Sequence, residues 1–342
     1  MTSTPPRPPN IRDVAKLAGV SVATASRVMA KADYPVAMAT QQKVIDAAHA
    51  LGFVPNFLAR GLSGARTDSI GVVAPGIANP YYATMVEGIN RAARQGGLTM
   101  LLGLTGGDEV RREEIMAGLL ARKIDGIILC AGADDHLPCR SPASLGIPAV
   151  LIGRQHNPGF PMIMVDNHGA GVEAARYLWS LGHRHFGYLT SEDSWHDFRE
   201  RGQGMREFLN STRETFELQI LGGLLGEVDT YQRVRSLCQN GGSSITAFLA
   251  STDRHALGAL AALADEGRNV PDRVSVMGFD DYVTSGFVRP SLTTMKMPSA
   301  EMGEAAVARL REMISGRGGS ETTVLCASLV ERASTSVATG LE

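Results

Sequence analysis

The spacing of apolar residues changes character once along this chain, near Ser69. Before that point it is helical, in short segments. Asn10 can cap a helix running to Ala18, with Asp13 in its positive first turn and Gly19 stopping it. Ser21 can cap a second helix, Val22 to Met29. Met38 to Leu51 makes a third, with Val44, Ala47, Ala48 and Leu51 at helical spacing and Gly52 just past its end. After Ser69, short apolar runs alternate with amphipathic stretches. Ile70 to Pro75, Leu98 to Leu104, Ile127 to Ala131 and Ala149 to Gly153 read as strands, with helices over Tyr81 to Gln95 and Glu109 to Arg122. A second round has strands at His185 to Thr190, Glu217 to Leu221, Ala247 to Ser251, Val274 to Phe279, Leu292 to Met295 and Val324 to Leu329. Its helices are Gly169 to Leu181, Arg199 to Leu209, Asp229 to Cys238, Asp253 to Glu266 and Glu301 to Ser315. This alternation predicts an α/β body of doubly wound parallel sheets, and its duplication predicts two lobes with a cleft between them.

The first two helices, joined by a tight glycine-containing turn, form a helix-turn-helix, an arrangement whose second helix enters the DNA major groove. At about 100° per residue, Ala25, Val28 and Met29 share one arc of the second helix, and Val22, Ala23, Ser26 and Arg27 share the other. A merely solvated arc would carry Glu, Lys or Gln. This one carries small apolar groups, which suit thymine methyls, and one Arg, which suits guanine O6 and N7.

Six pieces keep one order and spacing: Asp13-Val14-Ala15, Gly19-Val20-Ser21, Ser26-Arg27-Val28, Leu51-Gly52-Phe53, Pro55-Asn56 and Ala59-Arg60-x-Leu62. In these the chain resembles the lactose-repressor (LacI/GalR) family of bacterial transcription regulators. The resemblance implies DNA contacts from Ser21, Val22, Ala23, Thr24, Ser26 and Arg27, and from Asn56, Ala59, Arg60 and Leu62 in a hinge helix. It also implies a periplasmic-binding-protein type I-like two-lobed body. The expected organisation is a disordered tail over 1–9, the helix-turn-helix domain over 10–54, and a hinge helix and linker over 55–68. An effector-binding and dimerisation domain follows over 69–340, its first lobe about 69–164 and 291–325 and its second about 165–290 and 326–340. The three crossings between lobes are expected near Val165, Pro290 and Cys326. Ala37 stands where the family has a hydroxyl cap on the third helix.

Apolar residues make up 44% and charged ones 20%, an ordinary soluble balance, but the net charge of −2 is unevenly spread. Residues 1–64 hold seven Lys or Arg against three Asp, so the head carries +4 and the remainder −6. A basic head on an acidic body fits a head that meets phosphate. No apolar run approaches membrane-spanning length, and Met1 to Pro9 lacks a signal-peptide core, so no membrane partner and a cytoplasmic location are expected. Cys130, Cys139, Cys238 and Cys326 lie far apart without metal-ligand spacing and read as reduced thiols. No Gly-x-Gly-x-x-Gly follows a strand, and there is no Walker A loop or Gly-x-Ser-x-Gly, so neither an enzyme nor a cofactor is expected. His183 and His185, flanking Arg184, suit a turn better than a metal.

In open α/β sheets ligands lie beyond the carboxyl ends of the strands. That rule nominates the loops at Pro75 to Tyr82, Gly153 to Gln155, Thr190 to Arg201, Ser251 to Asp253 and Gly278 to Asp281. They offer Tyr81, Tyr82 and Trp195 for stacking, and Arg201, Asp280 and Arg154 for charged hydrogen bonds. The resemblance implies the same loops: Asn79-Pro80-Tyr81-Tyr82-Ala83, Arg201-x-x-Gly204 and Gly278-Phe279-Asp280 match its effector segments. Asp197 and Thr252 complete the expected effector set. Thr252 and Gly153 stand where many relatives have Asn and Asp, so the ligand need not be an ordinary neutral sugar. The expected function is a sequence-specific regulator, a repressor, binding a near-palindromic double-stranded DNA operator as a homodimer. A small-molecule effector (a sugar, sugar acid or related metabolite) would control it from between the lobes. A periplasmic solute-binding protein would share the body but not the basic helical head, and a nicotinamide-linked enzyme would need the phosphate-binding glycines.

The hinge yields a prediction. Pro55 suits a helix start, but Asn56 to Leu62 is only two turns and Gly61 weakens it. The segment is expected to fold only when two copies pair on DNA, with Leu62 wedged into the minor groove. Leu62→Ala should keep major-groove contacts yet lose DNA bending and much of the operator affinity; equal bending by mutant and parent in a circular-permutation gel shift would place the wedge elsewhere.

Overall fold

Asn10 starts the first helix, α1 (Ile11–Ala18), through a reciprocal capping box: its Oδ1 accepts from the Arg12 and Asp13 N–H groups, and the Asp13 carboxylate accepts from the Asn10 N–H at 2.9 Å. Gly19 ends α1 with φ 66, a left-handed conformation that glycine adopts without strain. Ser21 Oγ accepts from the Thr24 N–H at 3.0 Å and so opens α2 (Val22–Met29). Ala37 provides no such cap for α3 (Met38–Ala50); the Gln41 side chain donates to the Val36 carbonyl there instead, at 2.9 Å. Val14, Ala15, Ala25, Val44, Ala47 and Ala48 make the small core these helices share. In the computed structural model residues 7, 9–29, 35–53, 66–130, 146–153, 160–191, 196–240, 244–319 and 321–338 are described. The chain divides into two units, Met1–Thr67 and Asp68–Glu342. The expected hinge helix, including Asn56, Ala59, Arg60 and Leu62, lies outside the described residues, as does the expected tail apart from Arg7 and Pro9.

The second unit holds two six-stranded sheets. In the first, β1 (Ser69–Ala74) lies between β2 (Thr99–Leu104) and β3 (Gly126–Cys130), followed outward by β4 (Ala149–Ile152), β5 (Met162–Val165) and, at the far edge, β11 (Thr323–Leu325). In the second, β6 (His185–Leu189) lies between β7 (Glu217–Leu221) and β8 (Ala247–Ala250), followed by β9 (Ser275–Asp280), β10 (Thr293–Lys296) and β12 (Ser328–Val330). All pairings are parallel except β10 with β12. The central strands β3, β4, β8 and β9 are buried along their whole length, as near-continuous apolar runs in a parallel sheet require.

Helices cover both sheets. α4 (Pro80–Gln95) packs on α10 (Ser299–Ile314), α6 (Asn167–Ser180) on α7 (His196–Ser211), and α8 (Glu227–Gln239) on α9 (Asp253–Asp265), while α5 (Glu109–Ala121) lies beside β1 and β2. Glycines set how closely the pairs approach. A Cβ at Gly171 would collide with the Arg201 carbonyl, and one at Gly204 with the His168 carbonyl, so α6 and α7 cross backbone to backbone. Gly88 and Gly303 do the same between α4 and α10.

Three features differ from expectation. The single strand read over Val324 to Leu329 is two, β11 and β12, which belong to different sheets. A crossing at Pro290 would put the strand near Leu292 in the first lobe. β10 instead pairs with β9, Thr293 opposite Met277, so the chain crosses only after Lys296. Pro290 breaks a surface loop within one lobe, which a sequence break cannot distinguish from a change of lobe. Finally, β5 was not anticipated: four residues alternating half-buried and buried leave too short a pattern to stand out.

The α6–α7 crossing can be tested. Alanine at position 204 would gain up to about 1 kcal/mol of helix propensity, but overpacking against a backbone carbonyl costs about 1–3 kcal/mol. The clash wins, so Gly204→Ala should lower the urea midpoint without changing its slope.

Candidate functional site

On the first unit, α2 presents the predicted face. Ala25 is fully buried, while Val22 is 44% exposed and Ser21, Ala23, Ser26 and Arg27 are exposed with it. Thr24 is half-buried, its hydroxyl 2.8 Å from Ser21 Oγ, so this pair ties down the start of the helix. An apolar Val and Ala held in solvent beside an Arg, on a helix fixed by its neighbours, is a surface built to meet something.

In the second unit a narrow cavity is lined by Tyr81, Gly153, Met164, Val165, Asn167, Asp197, Glu200 and Met302. The strand-end rule accounts for its position. Tyr81 follows β1 on the first turn of α4, where Asn79 caps the helix by accepting from the Tyr81 N–H at 3.0 Å. Tyr82 meets Tyr81 edge to face, with centroids 5.3 Å apart. Asp197 comes from the first turn of α7 and Glu200 from the turn above it. The Tyr81 hydroxyl points at Met302 Sδ, 3.5 Å away. Burial raises both tyrosine hydroxyls well above their ordinary range, and the carboxylates of Asp197 and Asp280 push them further up while Arg201 opposes this.

Arg201 and Asp280 do not line that cavity but sit within charge range of its tyrosines. Arg201 is 3% exposed. Its Nε donates to Asn167 Oδ1 at 2.8 Å, its Nη1 donates to the Ser251 carbonyl, and its guanidinium lies near the rings of Phe279 and Phe198. Asp280 closes β9 with φ 118, outside the left-handed well, followed by Asp281 with φ 62, a value that aspartate tolerates better than most residues. Asp280 Oδ2 is buried and has no hydrogen-bond partner. Burial pushes this carboxyl up to about 7, with Arg201 pulling it down and Asp253 pushing it up.

Asp253 holds the turn in place. It is fully buried at the start of α9 and accepts from Ser285 Oγ at 2.6 Å, Thr294 Oγ1 at 2.6 Å and the Tyr282 N–H at 3.1 Å. A Cβ at Gly278 would collide with its Oδ1, which explains the glycine in Gly278-Phe279-Asp280. Thr252, expected as a ligand contact, caps α9, and its hydroxyl lies 3.0 Å from His255 Nδ1. Burial lowers His255 to about 4, so its ring is neutral, with Nε2 facing the Leu224 carbonyl. Arg154 and Trp195 lie outside the described residues.

Sequence reasoning missed Asn167, Glu200, Met164 and Met302. Asn167 follows β5, so the strand-end rule would have found it had β5 been recognised. Glu200 stands three residues after Asp197 on one helix face, a signal available in the spacing. Met302 arrives from α10, more than two hundred residues from Tyr81, and carries no local signal. His183 is a satisfied core histidine, its ring nitrogens 2.9 Å from Thr246 Oγ1 and Ser275 Oγ. Among the described residues no His, Cys, Asp and Glu group could hold a metal, and no helix is long and apolar enough to cross a membrane.

Comparison with known proteins adds two family matches: bacterial regulatory proteins of the lacI family over residues 10–56, and a periplasmic binding protein-like domain over residues 175–335. The HTH-type transcriptional regulator DegA of Bacillus subtilis is 32% identical, covering 95% of this chain and 98% of the relative. The lac repressor dimer, solved with operator and the anti-inducer ONPF, superposes with a TM-score of 0.85 at 27% identity, covering 96% of this chain and 100% of that one. The transcriptional regulator CelR, solved with cellobiose, gives 0.69 at 28% identity over 95% and 99%. All three are regulators rather than enzymes.

The buried carboxyl at Asp280 fixes a pH dependence. Its folded pKa of about 7 lies above the ordinary 3.8, so the folded chain holds this proton more tightly. The associated stability is fully present below about pH 4 and is lost as pH rises through 7. Asp280→Asn should therefore raise the denaturant midpoint at pH 8 relative to the parent and flatten the decline between pH 5 and 8; an unchanged slope would mean that Asp280 ionises at no cost.

Proposed function

This chain belongs to the lacI family of bacterial regulatory proteins and is a DNA-binding transcription regulator; we propose that it is a cytoplasmic, homodimeric repressor controlled by a small polar effector bound between its lobes. Its operator is a near-palindromic DNA duplex. The carrying observation is the solvent-facing arc of α2, where Val22, Ala23 and Arg27 stand together with the hydroxyl of Ser26. Major-groove readout needs that mixture of apolar contact and one bidentate donor. Two-fold symmetry would place two such helices about one helical turn of DNA apart. Asn56, Ala59, Arg60 and Leu62 would add the hinge contacts.

For the effector, support comes from the tyrosine pair, Asp197, Arg201 and the orphaned Asp280 oxygen gathered at the carboxyl ends of the strands. A carboxylate that lacks donors calls for a ligand rich in hydroxyl groups, and aromatic faces beside it suit a sugar ring. The cellobiose held by CelR is consistent with a carbohydrate. Such a ligand acts by preferring one lobe arrangement, which biases whether the two heads reach their half-sites.

Selection of duplexes from a random pool, followed by gel-shift titration against neutral sugars, disaccharides and sugar acids, tests both halves. Arg27→Ala should lose about 1–3 kcal/mol on the selected operator and relax preference at one base pair per half-site. Equal weakening on operator and random DNA would reduce Arg27 to a phosphate contact, and failure to enrich any duplex would end the repressor reading.

A further inference from the structure

Asn79 does more than cap a helix. The same Oδ1 that accepts from the Tyr81 N–H at 3.0 Å also accepts from the Tyr282 hydroxyl at 2.9 Å. The two residues stand 203 positions apart. Asn79 follows a strand of the first sheet, and Tyr282 follows one of the second. The bond therefore spans the cleft from one lobe to the other. Tyr282 is 6% exposed. Its backbone is no looser than its ring, because its N–H rests on Asp253 Oδ2, the oxygen that also takes Ser285 Oγ. One continuous series of hydrogen bonds thus runs from the buried Asp253, through Tyr282 and Asn79, to the first turn of the helix that carries Tyr81 and Tyr82.

We propose that Tyr282 is the positioning residue of this cleft, its hydroxyl setting the separation between the wall that carries Tyr81 and Tyr82 and the wall that ends in Asp280. The inference rests on the cleft being the effector site. Counting protons explains why the link would respond to a ligand. A phenol has one proton to donate. The phenol gives it to Asn79, while Asp280, two residues away, also lies within reach of that hydroxyl and keeps its Oδ2 without a donor. With Asp280 ionised, the cleft thus holds two acceptors competing for one proton. A ligand hydroxyl donated to Asp280 ends the competition and leaves the Tyr282–Asn79 bond as the favoured arrangement. Occupancy of the cleft and separation of the lobes become one equilibrium, in the sense that coupling requires.

The test uses the full-length protein without DNA or ligand, so its failure would leave the repressor reading standing, and failure of the duplex selection would not touch it. Distance probes at exposed Ala117 in the first lobe and exposed Asn210 in the second report lobe separation by pulsed electron resonance. Tyr282→Phe removes only the hydroxyl. Asn79→Ser keeps a good helix cap but withdraws the acceptor from the phenol's reach. Each should shift the ratio of linked to unlinked lobes by about fivefold, the effect of one ordinary hydrogen bond. The double variant should shift it no further, since both remove the same bond. Hydrogen exchange at residues 79–83 should quicken in Tyr282→Phe while the second-lobe core keeps its protection. Unchanged distance distributions in both single variants, or additive shifts in the double, would overturn the proposal.

Discussion

Much of the effector lobe's geometry depends on one buried carboxylate. Asp253 is fully inaccessible, yet three donors from three places converge on it: the turn after β9, the 3-10 turn that follows, and β10. Hydrogen bonds to a charged group are worth about 1.5–3 kcal/mol each, but burying the charge costs several kcal/mol. Burial comes out ahead, pushing the carboxyl up to about 6 despite its donors. Asp253 is therefore a weak source of stability and a strong source of specificity. It leaves only one arrangement of the 278–285 segment in which all its partners are met. The positive-φ backbone at Asp280 and Asp281 persists because this network, with the ion pair from Arg332 to Asp281, over-determines it.

That division explains what was legible in the sequence. Local chemistry was. Asn10 with Asp13, Ser21 with its helix, and the opposed arcs of α2 follow from spacing and side-chain reach, and all are present as read. The rule that ligands gather at strand ends brings Tyr81, Asp197, Arg201 and Asp280 to one region from sequence alone. What escaped has a common cause. β10 belongs to the second sheet, Met302 faces Tyr81, and Tyr282 reaches Asn79 through pairings that no window of sequence contains. β5 escaped for a different reason: it is too short for its alternation to rise above chance. Missing it also hid Asn167, the residue that receives Arg201.

Two positions where the family pattern changes show how the pocket is furnished. Thr252 spends its hydroxyl on the α9 cap and on His255. Gly153 takes φ 104 at the end of β4, a conformation in which a side chain would be strained. Polar groups on the cavity wall come instead from the start of α6 and the first two turns of α7, as Asn167, Asp197 and Glu200. Arg201 reaches the same region from α7, but two of its donors are already committed to protein acceptors. It acts as a fixed charge more than as a ready hand for a ligand.

A regulator gains from leaving such a site incomplete. A ligand can shift an equilibrium only by the difference in its affinity for the two states, and moving a population from one extreme to the other takes about 5.5 kcal/mol of that difference. A pocket fully satisfied when empty would bind its ligand by exchanging equal bonds, with little left to bias the lobes. Here Asp280 carries a buried carboxyl oxygen without a protein donor, at a backbone conformation its side chain disfavours. Relieving an unmet buried acceptor is worth about 1–3 kcal/mol, more when it is charged. Only a lobe arrangement that brings the ligand's hydroxyl onto Asp280 collects that gain, so it counts wholly as differential affinity. The strain at Asp280 is thus the reservoir from which an effector could draw the work of changing the protein's shape.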